Sequence, residues 1–322
     1  MNQLTVTQGY QVQQAQIITE DLYNRFIAYV DASPKTIETY QRAVRQFFKY
    51  IFQNGITQPQ REDVLAYRDW LKNTPIDEGN HKGRLRTPAT VQNYITALKQ
   101  FFKWTEQERI YPNVAEHIKG AKIDKGHKKD YLTSRQVKKV LANAKEESLT
   151  GLRDYAILAL MLTCGLRTIE VSRAKIEDMR ARGDTTALYI QGKGHEEKVD
   201  FVKLMPEVED AIRAYLTARG ATDPTEPLFT STSNNSKGKA VSTRTVSGIV
   251  KEAFKKAGFN SEKLTAHSTR HTAVTLALAN GEKLEQVKQF ARHKNLETTL
   301  IYAHNLDRDK NHCEETIAKA IF

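Results

Sequence analysis

Six residues in this chain are of types that together could move a phosphodiester onto a phenol without a metal: Arg167, Lys193, His267, Arg270, His293 and Tyr302. Arginines offer paired N–H donors to the non-bridging oxygens of a phosphate as negative charge builds there. A lysine or histidine can hand a proton to the departing oxygen. A tyrosine phenol can form a covalent ester that stores the energy of the bond it breaks. Arg167 sits in Thr163-Cys164-Gly165-Leu166-Arg167-Thr168-Ile169-Glu170, Lys193 in Gly192-Lys193-Gly194, and Arg270 in His267-Ser268-Thr269-Arg270-His271. His293 follows Ala291-Arg292, and Tyr302 comes nine residues after it.

Each of these has a plainer explanation to be set beside it. His267 and His271, at i and i+4, have the spacing of a zinc pair. No glutamate follows the first, however, and Arg270 would stand beside the ion, so no metal is expected. Gly192-Lys193-Gly194 is also a hairpin turn and lacks phosphate-loop spacing, so its chemistry depends on the other motifs. Tyr302 could be a packing aromatic. Glu170, one helical turn beyond Arg167, and His271 are expected to support the site without touching substrate.

The elements that must position these groups can be traced along the chain. With 322 residues there is room for two domains, and a net charge of +11 favours a polyanionic partner. No apolar run approaches a membrane span, so no membrane partner is expected. Two cysteines are too few for a disulfide framework and fit a reducing cytoplasm.

Residues 1–16 read as a polar tail. Helical spacing then covers Leu22 to Tyr29 and Ile37 to Ile51, the latter opened by Ser33-Pro34. It continues through Gln60 to Leu71 and through a helix opened by Thr87-Pro88 that runs to Trp104. That is an all-helical domain over 17–108. Lys35, Arg42, Arg45 and Lys49 on one helix, with Lys99 and Lys103 on another, have few acids beside them and read as a phosphate-contacting surface rather than an ordinary solvated face. Residues 109–130 read as an extended basic linker, with Lys122, Lys125 and Lys128 free to lie along a duplex. The second domain, 131–322, opens at a capped helix near Val137, and Leu152 to Thr163 is a buried helix. Two short strands, Leu188 to Ile190 and Lys198 to Leu204, flank Lys193, and helices follow at 208–219, 243–257, 269–279, 284–290 and 298–302.

Taken in order, the motifs resemble those of the tyrosine recombinases, the phage-integrase and Xer-type site-specific DNA recombinases. The Arg167 segment is similar to the family's first arginine box, Gly192-Lys193-Gly194 to its β-hairpin lysine, and His267 to His271 to its HxxRH box. Ala291-Arg292-His293 through Tyr302 is similar to the final histidine and nucleophile box, although most members carry Leu-Gly where this chain has Ala291-Arg292. Ser33 to Tyr40 and Thr87 to Trp104 resemble the core-binding domain. The resemblance spans nearly all of the chain. It implies a mainly α fold: a helical, SAM-like core-binding domain followed by a mostly helical catalytic domain with a small antiparallel β-sheet.

The resemblance also implies a reaction. Tyr302 attacks the scissile phosphate to give a 3′-phosphotyrosyl link and a free 5′-hydroxyl, Arg167, Arg270 and His293 hold the phosphate, His267 assists proton transfer, and Lys193 protonates the leaving oxygen. No cofactor is implied. The partner is a double-stranded DNA recombination site, engaged by a homotetramer that passes through a Holliday junction. Ile317, Ile321 and Phe322 form an apolar face at the C-terminus that could dock on a neighbouring subunit. Two alternatives stay open at this stage: DNA relaxation of the type IB topoisomerase kind, and a non-catalytic DNA-binding protein on the same scaffold.

Overall fold

The computed structural model describes residues 19–122, 130–191, 197–309 and 313–321, without the side chains of 80, 304–309 and 314. Lys125, Lys128, Lys193 and Phe322 lie outside the described residues. The chain divides into two compact units, ending and beginning at 125 and 126.

The first unit is built from α1 (Glu20–Tyr29), α2 (Pro34–Gln53), α3 (Arg61–Asn73) and α4 (Pro88–Gln107). Local chemistry starts three of them. Thr19, Ser33 and Thr87 accept hydrogen bonds from the backbone N–H groups of Leu22, Thr36 and Thr90, and Pro34 and Pro88 fill first-turn positions that need no donor. Their apolar stripes converge on an aromatic core. Phe26 meets Phe101 edge-on at 5.2 Å between ring centres, and Phe47 meets Tyr67 at 5.0 Å.

Two expectations are corrected here. The segment after α4 is not extended along its first half: Tyr111, Ala115 and Ile118 are buried in the helical core. The Tyr111 hydroxyl donates to the Pro59 carbonyl at 2.8 Å, and Arg68 donates to the Lys119 carbonyl at 3.1 Å. Lys119, Gly120 and the lysines beyond them suggested an extended linker, but the three apolar residues that precede them find the core. Nor are the bases of α2 without acids. Lys35 and Arg42 share Glu38 at 2.6 and 2.9 Å, Lys49 meets Asp77 at 3.1 Å and Glu78 at 3.4 Å, and the Arg45 guanidinium lies 4.9 Å over the Tyr23 ring. Glu38 is brought in by helical spacing and Asp77 by the turn of the chain after α3. Lys99, Lys103 and Lys122 make no ion pair among the described residues.

The second unit comprises α5 (Ser134–Asn143), α6 (Leu149–Cys164), α7 (Thr168–Arg173), strands β1 (Met179–Arg182), β2 (Thr185–Ile190) and β3 (Asp200–Leu204), then α8 (Pro206–Arg219), α9 (Thr243–Lys256), α10 (Ala266–Ala279), α11 (Leu284–Ala291), α12 (Leu296–Asp309) and α13 (Cys313–Ile321). The mainly α expectation with a small antiparallel sheet holds. The sheet has order β1-β2-β3, with Met179 opposite Leu188 and Leu188 opposite Val202. β1 escaped the sequence analysis because Arg180, Ala181 and Arg182 are exposed, so backbone pairing defines it without an apolar alternation. α6 is apolar on all sides from Ala156 to Leu162 and forms the centre of this core, as that run demands. It stops at Gly165, whose φ of 61° is the left-handed conformation that glycine adopts without steric cost.

Candidate active site

Where α6 stops, the site begins. The stop at Gly165 turns the chain so that Arg167 caps the short helix α7, three residues before Glu170. Glu170 accepts at 2.8 Å from the Arg167 backbone N–H and at 2.8 Å from its Nη1. The Glu170 carboxylate is 0 % exposed and Arg167 remains 29 % exposed, so the acid is an internal brace and the guanidinium faces outward from it.

α10 brings three further groups from little more than one turn. Arg270 is buried, and its Nη1 donates to the Gly165 carbonyl at 2.8 Å. Its Nη2 has no hydrogen-bond partner among the described residues. A buried guanidinium N–H left unpaired is costly, and an anion is the partner it lacks. His267 is exposed and His271 is buried, with ring centres 4.7 Å apart.

α11 and α12 close the constellation. His293 follows α11, and its Nδ1 lies 2.9 Å from the hydroxyl of Thr299 in the first turns of α12. One turn on, Tyr302 is buried against Val274, Val287 and Ala291, with its ring stacked 6.1 Å from that of His293 and tilted 5.1 Å from that of His271. A cleft of about 530 Å³ opens beside this cluster, lined by Arg167, Ser247, Lys251, Glu262, Thr265 and His267.

The electrostatics follow from burial and from the crowd of cations. Burial first, then Arg270 and Arg167, hold His293 down at about 4, so its imidazole is neutral at neutral pH. Burial pushes the Tyr302 phenol up to about 12, against the pull of the same two arginines. Arg270 falls to about 9 by burial and by repulsion from Arg167 and Arg292. It still carries its charge near neutrality.

Of the sequence candidates, Arg167, Glu170, His267, Arg270, His271, His293 and Tyr302 come together here, and Lys193 lies outside the described residues between β2 and β3. Two neighbours were not among those candidates. Thr299 holds His293, and its only sequence signal is its place between that histidine and Tyr302. Arg292, seen as a substitution for glycine, makes an ion pair with Glu170 at 3.0 Å. Among the described residues no cluster of histidine, cysteine or carboxylate side chains could hold a metal ion, and no helix is long and apolar enough to cross a membrane.

This chemistry sits on a fold already known. Residues 130–309 match the phage integrase family and residues 21–111 match the phage integrase N-terminal SAM-like domain. The chain belongs to the phage integrase family, whose curated members similar to it are tyrosine recombinases, DNA strand-transferring enzymes. The tyrosine recombinase XerA of Pyrococcus horikoshii is 30% identical over 306 residues, covering 95% of each chain. A tyrosine recombinase of Synechococcus elongatus is 27% identical over 299 residues, covering 90% of each. In structure, the XerH site-specific recombinase in a post-cleavage complex with palindromic difH substrate aligns with a TM-score of 0.69 and 20% identity, over 94% of this chain and 92% of that one.

Proposed function

We propose that this site-specific recombinase cleaves DNA through Tyr302, whose Oη forms a bond to the scissile phosphorus as the bond to the 5′ oxygen breaks. The phenol proton passes to His267, and Lys193 supplies a proton to the leaving 5′ oxygen. Arg167, Arg270 and the neutral His293 hold the non-bridging oxygens. A 5′-hydroxyl from a partner duplex then attacks the phosphotyrosine, reversing every bond change and restoring the phenol. The ester conserves the phosphodiester energy, so the scheme needs no nucleotide cofactor.

The single observation that carries this scheme is the convergence of Arg167, Arg270, His293 and Tyr302 from four separate elements. The Nη2 of buried Arg270, without a hydrogen-bond partner among the described residues, adds a donor. Metal-free transfer to a phenol uses these types and little else. Topoisomerase-like relaxation and a non-catalytic DNA-binding role are not favoured by membership of a recombinase family.

The remaining assignments are proposals of the same kind. Residues 17–108 form the core-binding domain, extended by the packed segment through Ile118, and 131–322 form the catalytic domain. Lys99, Lys103 and Lys122 offer phosphate contacts without giving up an ion pair. Lys35, Arg42 and Lys49 would exchange exposed pairs worth little for phosphates, and Arg45 would have to leave the Tyr23 ring. On α13, Ile317 and Ile321 are 56% and 67% exposed. An apolar face on so short a helix supports docking on a neighbouring copy in a tetramer on DNA. The two cysteines form no disulfide among the described residues, which supports a cytoplasmic location.

Covalent trapping on a nicked duplex from the flanks of the gene's own locus tests the reaction. Wild type should give a DNA-linked band on a denaturing gel, and Tyr302→Phe should give none. A band retained in Tyr302→Phe would remove Tyr302 from the nucleophile's role.

A further inference from the structure

α11 ends on an arginine in a conformation that suits glycine. Arg292 has φ 52° and ψ 45°, and a side chain with a Cβ is strained there. The side chain shows what holds it. Only 8% exposed, its guanidinium donates from Nη1 to the Phe290 carbonyl at 2.9 Å and from Nη2 to Glu170 at 3.0 Å and to the Gly165 carbonyl at 3.4 Å.

Those last two acceptors are the anchors of the phosphate-facing arginines. Glu170 holds Arg167 through both its oxygens, and the Gly165 carbonyl holds Arg270. One guanidinium therefore touches the brace of each. It also changes the charge balance. Arg167, Arg270 and Arg292 against Glu170 leave two positive charges among the four groups. A phosphodiester carries one negative charge, and the five-coordinate phosphorus through which Tyr302 would transfer carries two. A second uncompensated cation therefore acts more on the transition state than on bound DNA.

We propose that Arg292 is a positioning residue for strand transfer: it ties the Glu170 carboxylate to the Gly165 carbonyl, holding Arg167 and Arg270 in register, and adds the charge that matches the phosphorane. The inference rests on the proposed Tyr302 reaction. A purely local role as a helix cap is the competing explanation, and it predicts an effect on stability alone.

The test is single-turnover formation of the covalent complex at saturating nicked duplex, with DNA affinity and melting midpoint measured beside it. Arg292→Gly removes charge and anchor while relieving the left-handed strain. Its rate constant, measured below the variant's melting midpoint, should fall roughly 10- to 100-fold, the range seen when a supporting partner is removed, with affinity unchanged. Relief of the strain offsets only part of the stability lost with the buried ion pair. Arg292→Gln, which keeps a hydrogen-bonding side chain without the cation, should also be slow, and Arg292→Lys should recover part of the rate. Combined with Glu170→Gln, Arg292→Gly should add little further loss, because both act through one contact. A wild-type rate in Arg292→Gly, a loss confined to affinity or stability, or additive losses in the double variant would each overturn the inference. Absence of the covalent band in wild type would instead overturn the proposed reaction, and this inference with it.

Discussion

His293 and Thr299 stand six residues apart across the turn between α11 and α12, and their Nδ1 and Oγ1 atoms are 2.9 Å from each other. A threonine hydroxyl that donates to Nδ1 leaves the ring proton on Nε2, where it can reach a phosphate oxygen. Thr299 is fully buried, so the hydroxyl is held in place by packing. Thr299→Val should therefore slow covalent-complex formation by roughly 10- to 100-fold at saturating DNA, and Thr299→Ser should restore most of it. An unaltered rate in Thr299→Val would show that the tautomer is set elsewhere.

The low proton affinity of His293 has a consequence for stability. The unfolded chain takes up a proton at this residue near 6.5, whereas the folded chain does so only near 4. Between those values the unfolded state binds more protons, so the contribution of His293 is fully present above pH 6.5 and is lost as pH falls toward 4. Urea midpoints from pH 7 to 4.5 should decline more steeply in wild type than in His293→Gln. In wild type, the NMR ring signals of His293 should not titrate above pH 5.

Glu170 carries two ion pairs away from bulk solvent, since its side chain is 0 % exposed and it meets Arg167 at 2.8 Å and Arg292 at 3.0 Å. Removing such a carboxylate leaves neighbouring cations uncompensated, at a cost of roughly 3–5 kcal/mol. Glu170→Ala should lower the denaturant midpoint accordingly and abolish trapping. Glu170→Asp, which keeps the charge on a shorter stem, should retain more stability than activity.

The segment that follows α4 offers a test outside the site. Tyr111 is buried and hydrogen-bonded to the Pro59 carbonyl. Tyr111→Ala should destabilise the helical unit by roughly 3–5 kcal/mol, as truncation of a buried aromatic does. A solvated linker would lose almost nothing, so a change under about 0.5 kcal/mol would contradict the packing described here.

How far these relationships were legible in the sequence depends on how local each one is. The starts of α2 and α4 were readable because Ser33-Pro34 and Thr87-Pro88 complete their hydrogen bonds within three residues. Buried α6 was readable because it is apolar all round from Ala156 to Leu162. β1 was not, since pairing with β2 orders it without an apolar alternation of its own. The acids beside Lys49 were missed because Asp77 lies 28 residues further along. Tyr111, Ala115 and Ile118 sit in an irregular stretch with Pro112, Asn113 and Glu116 that leads into the lysines, and only the core of α1 to α4 shows that they are buried.

The sequence by itself determined the kinds of group and their order: two arginines, histidines and a tyrosine in motifs whose chemistry follows from residue type. It also determined the helical periods that carry them, because capping and amphipathic spacing are settled within a turn or two of chain. Only the tertiary structure decided which buried charge meets which. Glu170 and Arg292 are 122 residues apart, yet they form one ion pair beside the Gly165 carbonyl that Arg270 also uses. A charge taken out of water must find its counter-charge wherever packing places one, and no periodicity along the chain encodes that distance.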